Sequence, residues 1–302
     1  MNKVQVIASS IIAFLFSFFI FMFMLLGVTR LTLMNEEYLV TTLDTTQYYA
    51  GVRSELTDDL KKGAGAAGFD PSIYDEFVTT DQIKEDARHY ITTYFKEGNA
   101  KISTEEFENR LTTYLHKIVK DQGIELSVED NQRLQSYIKI NVDGYRQFVQ
   151  FPFIQYIVQG ISMMQRVFPY VFAISFVLML IAGGLLWSVR LPRGKGLWFA
   201  GSALSGAGCM LIGLPALLLI NDIVGRINLE PAYFHTFFTA FLTQYLWILI
   251  LVGIACIISG WLLFVYRKKK YHRRRRSRSR SKRNYKTTTT LVDNMQRETN
   301  EE

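Results

Sequence analysis

Four stretches of this chain run for about twenty residues or more without a single charged side chain or histidine. They are VQVIASSIIAFLFSFFIFMFMLLGV at 4–28, FPYVFAISFVLMLIAGGLLWS at 168–188, LWFAGSALSGAGCMLIGLPALLLI at 197–220 and LWILILVGIACIISGWLLFVY at 246–266. A helix of that length and composition crosses the hydrocarbon core of a bilayer; at ~1.5 Å rise per residue the first reaches about 38 Å. The remaining protein is too small to cover so much apolar surface as an ordinary core. Trp187, Trp198, Trp247 and Trp261, with Tyr170, Tyr245 and Tyr266, flank these blocks. Such rings favour headgroup depth. The predicted spans are 4–30, 168–189, 197–220 and 240–266. The first is read as an uncleaved anchor, because its apolar run is too long for a signal peptide and no A-x-A-like site follows.

Charge sets the expected orientation. The chain is formally +7, yet twelve of its 34 basic residues lie in RKKKYHRRRRSRSRSKR at 267–283, and without them it would stand at −5. The high pI therefore belongs to one short segment, not to a domain surface. That segment has no aromatic stacking platform or reading fold beside it, which argues against a nucleic-acid partner. Lys3, the loop residues Arg190, Arg193 and Lys195, and the tail fall on one side of four spans. The positive-inside rule makes that side cytoplasmic. Residues 34–167, with 21 acidic and 14 basic side chains, and the short loop at 221–235 then lie outside.

The basic run begins where the last apolar block ends. Arg267, Lys268, Lys269, Lys270, Arg273, Arg274, Arg275 and Arg276 are expected to touch anionic cytoplasmic lipid, at up to ~1 kcal/mol for each cation near the surface. The tail, 267–302, reads as disordered. Phosphorylation of Ser277, Ser279 and Ser281, at about −1.5 to −2 charges each, would cancel nearly half its charge.

Between the first two spans, 34–160 reads as a helical domain of about five helices. Leu39, Leu43, Tyr49, Val52, Leu56 and Leu60 recur at helical spacing up to GAGAAG at 63–68, read as a turn. Asp70-Pro71 has the form of an N-cap with proline at the first helical position. Thr79 with Gln82, and Ser103 with Glu106, have capping-box spacing. Phe107, Leu111, Tyr114, Leu115 and Ile118 form one stripe. Leu134, Tyr137, Ile138, Val142, Tyr145 and Phe148 form another, in a helix from about Val128. Gly98-Asn99 and Gly123 separate these helices. Cys209 and Cys256 both lie inside spans, so no disulfide framework is implied. The expected fold class is an all-α membrane protein: four transmembrane helices plus an α-helical extracytoplasmic domain inserted between helices 1 and 2.

Signs of chemistry are absent from the sequence. There is no intramembrane charge, no H-E-x-x-H or Walker A run and no G-x-S-x-G elbow. No histidine lies in a span to activate Ser205. No enzyme activity and no cofactor are expected. Asp81, Glu85 and His89 fall on one helix face, too few for a metal site and read as a solvated surface. Asn221 and Asp222 are read as closing the outer end of the third span. No N-x-[ST] sequon is present. In GSALSGAG, the pairs Gly201/Ser205, Ser202/Gly206 and Ala203/Ala207 have small-x-x-x-small spacing. They would let another helix approach closely, either one carrying Gly183, Gly184 or Gly253 or one from a second copy of the chain. Pro215 is expected to kink the third span.

An N-terminal anchor, then NEEYLVTTLDTTQYYAGVRSEL and FDPSIYDEFVTTDQIKEDARHYITTYFKEG, then three clustered spans and a basic tail together resemble uncharacterised four-span membrane proteins of low-GC Gram-positive bacteria. The likeness covers most of 1–266 and implies a bacterial plasma membrane. The order span, large outside domain, three spans is also similar to permease-like subunits of ABC systems. This chain departs from those in lacking a long cytoplasmic N-terminal segment. The expected function is a non-enzymatic envelope scaffold that displays a helical domain and binds an envelope protein or a second copy of itself. The alternative is an accessory or permease-like subunit of a transport complex.

Overall fold

The computed structural model describes residues 3–67, 69–97, 102–123, 125–150, 154–188 and 195–298. Every regular element among them is helical. The chain divides into two compact units. One comprises Met1–Leu26, Val171–Leu217 and Trp247–Glu302, here called the membrane unit. The other comprises Gly27–Tyr170 and Leu218–Leu246, here called the helical unit.

Four helices are long and apolar enough to cross a membrane: α1 (Lys3–Leu31), α8 (Ile154–Ser188), α9 (Lys195–Ile220) and α10 (Ala232–Glu298). Their apolar stretches are Ile7–Leu31, Val167–Leu186, Leu197–Ile220 and Ala232–Lys268. Large side chains such as Phe14, Ile174, Leu214 and Trp261 point outward. Such a surface suits hydrocarbon and not water. The fourth helix begins at Ala232, well before the boundary of 240 read from hydropathy. It also runs on to Glu298, where the sequence reading expects a disordered tail. No glycine or proline interrupts 261–298, and Lys and Arg propagate a helix well. The loop cations Arg190 and Arg193 and the Gly98-Asn99 break lie outside the described residues.

Six helices and one 3₁₀ turn follow α1 in the helical unit: α2 (Glu36–Thr45), α3 (Tyr48–Ala67), a 3₁₀ turn at Pro71–Ile73, α4 (Tyr74–Phe77), α5 (Thr80–Glu97), α6 (Glu105–Asp121) and α7 (Val128–Val149). Asn35 caps α2, its side chain accepting the Glu37 N–H at 2.9 Å. The apolar stripe suggests one continuous helix from 36 to 62. The structure breaks it at Gln47, whose φ of 55° is left-handed. α3 then continues through Gly63 and Gly65 to Ala67, because the fully buried Ala64 anchors that last turn in the core. The Asp70 carboxylate accepts the Ser72 N–H at 2.9 Å with Pro71 at the first helical position. Its two hydrogen bonds with Ser72 hold that carboxyl below its ordinary range. Thr79 accepts the Gln82 N–H at 3.4 Å. The Ser103/Glu106 box does not form: α6 is capped at Thr104, whose side chain leaves the helix end unbonded and instead accepts from Arg146 Nη2 at 3.1 Å. Ser127 caps α7, accepting the Asp130 N–H at 3.1 Å. Gly123 takes a left-handed φ of 68° after α6, a place where glycine is favoured.

The core of this unit is aromatic. Tyr74, Tyr90, Tyr145, Phe107 and Phe237 are its largest fully buried side chains. Phe234, Phe237 and Phe241 join this core from the start of α10. The unit is therefore more than an insertion between the first two spans, because 218–246 completes it. Packing there is close: a methyl added at Gly51 would lie 2.3 Å from Tyr233 Cβ. Tyr38 reaches the same segment, donating to the Phe241 carbonyl at 2.9 Å, and burial pushes its phenol up to about 12.

Candidate functional site

One face of α6 carries Asn109, Arg110, Thr113, Tyr114 and Lys117, spaced to line up along the helix. Phe77, the last residue of α4, closes one side of the resulting groove of about 580 Å³. The Phe77 and Tyr114 rings stack at 5.4 Å and 27°. The Arg110 guanidinium lies 5.4 Å over the Phe77 ring and donates to the Phe77 carbonyl at 3.3 Å. Its other arm bonds the Gln82 side-chain oxygen. Arg110 is thus fixed by three contacts. Lys117, about two turns further on, makes no ion pair among the described residues.

The groove is seated on the core. Phe77 meets Phe107 edge-on at 5.5 Å, and Phe107 stacks on Tyr145 at 3.9 Å. The Tyr145 hydroxyl donates to the Asp86 carboxylate. Burial raises the Asp86 carboxyl above its ordinary value despite that bond. Burial, then Asp86 itself, raises the Tyr145 phenol. This makes a rigid aromatic floor under a basic rim. It holds no nucleophile paired with a base. It can offer apolar contact with the ring faces, and charge and hydrogen bonds from Arg110, Lys117 and Asn109. The surrounding 34–167 stretch has a net charge of −7, so a basic rim stands out on it.

The residues singled out from sequence fall elsewhere. Asp81, Glu85 and His89 are all exposed on α5, and no cluster among the described residues could hold a metal ion. Asp222 takes a φ of 48° beyond α9. A methyl on Gly225 would lie 2.5 Å from its carboxylate, and His235 Nε2 meets the Gly225 carbonyl at 3.2 Å. That loop is closed on itself. Asp44, reached by Lys84 at 3.2 Å and by Arg88, ties α2 to α5. No local pattern announces these two ion pairs, since their partners are about forty residues apart.

In the membrane unit the small-residue stripe of α9 divides between two neighbours. A methyl at Gly201 would lie 3.1 Å from the Gly260 carbonyl, and one at Gly208 would lie 2.6 Å from that of Gly253. Gly260 faces Ser205 Oγ and the Gly201 carbonyl in return. The contact with α10 thus follows glycines seven apart on each helix. Gly206 faces Ser17 of α1, and Gly183 faces Phe16. Ser202 is half-buried and Gly184 faces open space. The signal that marks Gly208 and Gly260 in the sequence is their seven-residue spacing from Gly201 and Gly253, longer than small-x-x-x-small. Arg267 and Lys268 lie on α10. The side chains of Lys269, Lys270, Arg273, Arg274, Arg275 and Arg276 lie outside the described residues.

Comparison with protein-family models, with curated proteins and with solved structures finds no match for this chain.

Proposed function

We propose that this is a multi-pass plasma-membrane protein with both termini in the cytoplasm, which displays the helical unit outside the cell and binds an envelope protein there without chemistry of its own. The single observation that carries the reading is the α6 groove. Its aromatic floor is braced by the core, its Arg110 is immobilised, and its Lys117 is left unpaired. A preorganised aromatic and arginine patch of this kind is what binding hot spots are made of. The acidic surroundings and the positive-inside distribution support an outside location for residues 34–167. The partner surface it suits is an acidic segment with one or two apolar side chains.

The test is site-specific photo-crosslinking in cells, with the probe at Lys117 or Asn109 and a control probe at Glu85 on the exposed face of α5. One defined envelope protein captured from the groove positions, and lost on Tyr114→Ala, is the expected outcome. Capture of a stoichiometric ATPase instead would replace this reading by that of a transport subunit. Impermeant labelling of a cysteine placed at 100, and its failure at 285, checks the orientation separately.

A further inference from the structure

A second concavity of the helical unit, of about 610 Å³, is lined by Arg30, Glu36, Phe95, Lys96, Phe168 and Pro169 among others. Its position in the chain is specific. Arg30 is in the last turn of the apolar stretch Ile7–Leu31, and Phe168 and Pro169 open the stretch Val167–Leu186. Where two hydrophobic stretches end, lipid headgroups begin. The cations here are free. Neither Arg30 nor Lys96 has a carboxylate partner or a hydrogen bond among the described residues. The Arg30 guanidinium carbon lies 5.8 Å from the centre of the buried Phe168 ring, a cation–π contact that uses the ring face and consumes none of its five N–H donors. Glu36 also lines the concavity, its Oε1 accepting from Thr92 Oγ1; against its one negative charge Arg30 and Lys96 leave the lining with a net positive charge.

We propose that this concavity holds the phosphate of an anionic phospholipid, with Arg30 and Lys96 as its cations and with Phe95 and Phe168 against the less polar glycerol end. A guanidinium and an ammonium meeting one phosphate is a strong charge-assisted pair. A phospholipid is chosen over free phosphate because the site lies at the depth where lipid phosphates are already concentrated. The inference needs the apolar helices to span the bilayer. It does not depend on what binds the α6 groove, so either can fail without the other.

The experiment uses the full chain in bilayer nanodiscs containing a photoactivatable phosphatidylglycerol and, in parallel, the matching phosphatidylcholine. Cross-linked peptides are mapped by mass spectrometry. Labelling is expected in the peptides around Arg30 and around Phe95 and Lys96, with phosphatidylglycerol preferred. Each of Arg30→Gln and Lys96→Gln should reduce it about fivefold, and the double variant further. Labelling of the basic tail, unchanged in these variants, serves as the internal reference. Lys96 is exposed at the end of α5, so Lys96→Gln leaves the fold intact even if the Arg30 variant does not. Equal labelling by both lipids, or labelling indifferent to both substitutions, overturns the proposal. Competition by excess inorganic phosphate overturns it in favour of a site for soluble phosphate.

Discussion

In the helical unit large rings stack through the core: Phe107 on Tyr145 at 3.9 Å, and Phe69 on Tyr137 at 5.5 Å. The membrane unit has ring contacts as well, Phe23 on Phe172 at 4.6 Å, but α9 and α10 meet there backbone to backbone: Gly208 against Gly253, and Gly201 against Gly260. The contrast follows from the solvent each unit is built for. In water, burying an aromatic ring removes apolar area and stabilises the fold in proportion. In hydrocarbon the lipid tail is as apolar as any side chain, so hiding a large one from the solvent gains little. Close approach, with its dispersion contacts, is what remains to hold helices together. The helical unit spends hydroxyls on long-range bonds such as Tyr74 to Tyr137 at 2.9 Å. In α10 the Ser259 hydroxyl turns back on its own helix, to the Ala255 carbonyl at 2.8 Å.

Substitutions that exchange the two strategies would break or sharpen this contrast. Phe107→Ala should cost most, about 3–5 kcal/mol, because it opens a cavity under the groove and removes the partner of Tyr145. A loss of the cooperative thermal transition of the full-length protein in detergent measures it. Gly208→Ala should cost about 1–3 kcal/mol by forcing α9 away from α10, although it adds a single methyl. Leu214→Ala on the same helix, 64% exposed, should stay within about 0.5 kcal/mol in the same assay. If the larger deletion at Leu214 proved the costlier of the two, bulk and not approach would be holding that unit. Ser127→Ala should cost about 1 kcal/mol through loss of the α7 cap, and faster amide exchange confined to the first turn of α7 would locate the effect.

Asp86→Asn should have the smallest effect, and one that depends on pH. Burial holds this carboxyl above its ordinary value of 3.8. The stability it contributes is therefore fully present below that value and is lost as pH rises through the higher folded one. An asparagine oxygen still accepts from Tyr145 and never ionises. The variant should gain on the parent in thermal midpoint from about pH 4 upward, and the gain should level off once the parent's carboxyl is fully charged. A constant difference across that range would show that Asp86 is solvated, and that the floor of the groove is looser than the ring contacts indicate.

Most of the elements could be read in advance because they rest on local rules. Asp70 caps the turn that its Asp-Pro pair announced, and Thr79 bonds the Gln82 N–H as its spacing requires. Leu111, Leu115, Leu134 and Ile138 are buried as the helical stripes require. The misreadings have local causes too. The stripe from Leu39 to Leu60 stays in phase across Gln47, so a break there leaves no trace in periodicity. The Gly/Ala run at 63–68 looks like a turn, yet alanine is the best helix former and Ala64 finds a core to enter. The groove was half legible. Tyr114 sits in the apolar stripe of α6, and Arg110 and Lys117 share its face. Phe77, which turns that face into a site, is more than thirty residues away.

The sequence by itself determined what each stretch must be surrounded by. Charge-free apolar length, capping residues and 3.6-residue periodicity act within a few turns, so they can be read without knowing the partner. Tertiary structure alone decided who those partners are. It brought Phe234, Phe237 and Phe241 from beyond the third span into the core of the helical unit, and set Arg30 beside Lys96 and Phe168. It also divided one small-residue stripe between α1 and α10. Such pairings are fixed by shape and by the closing of long loops, whose cost grows only slowly with length. A contact two hundred residues away is then nearly as accessible as one at forty, and local sequence carries no mark of which will form.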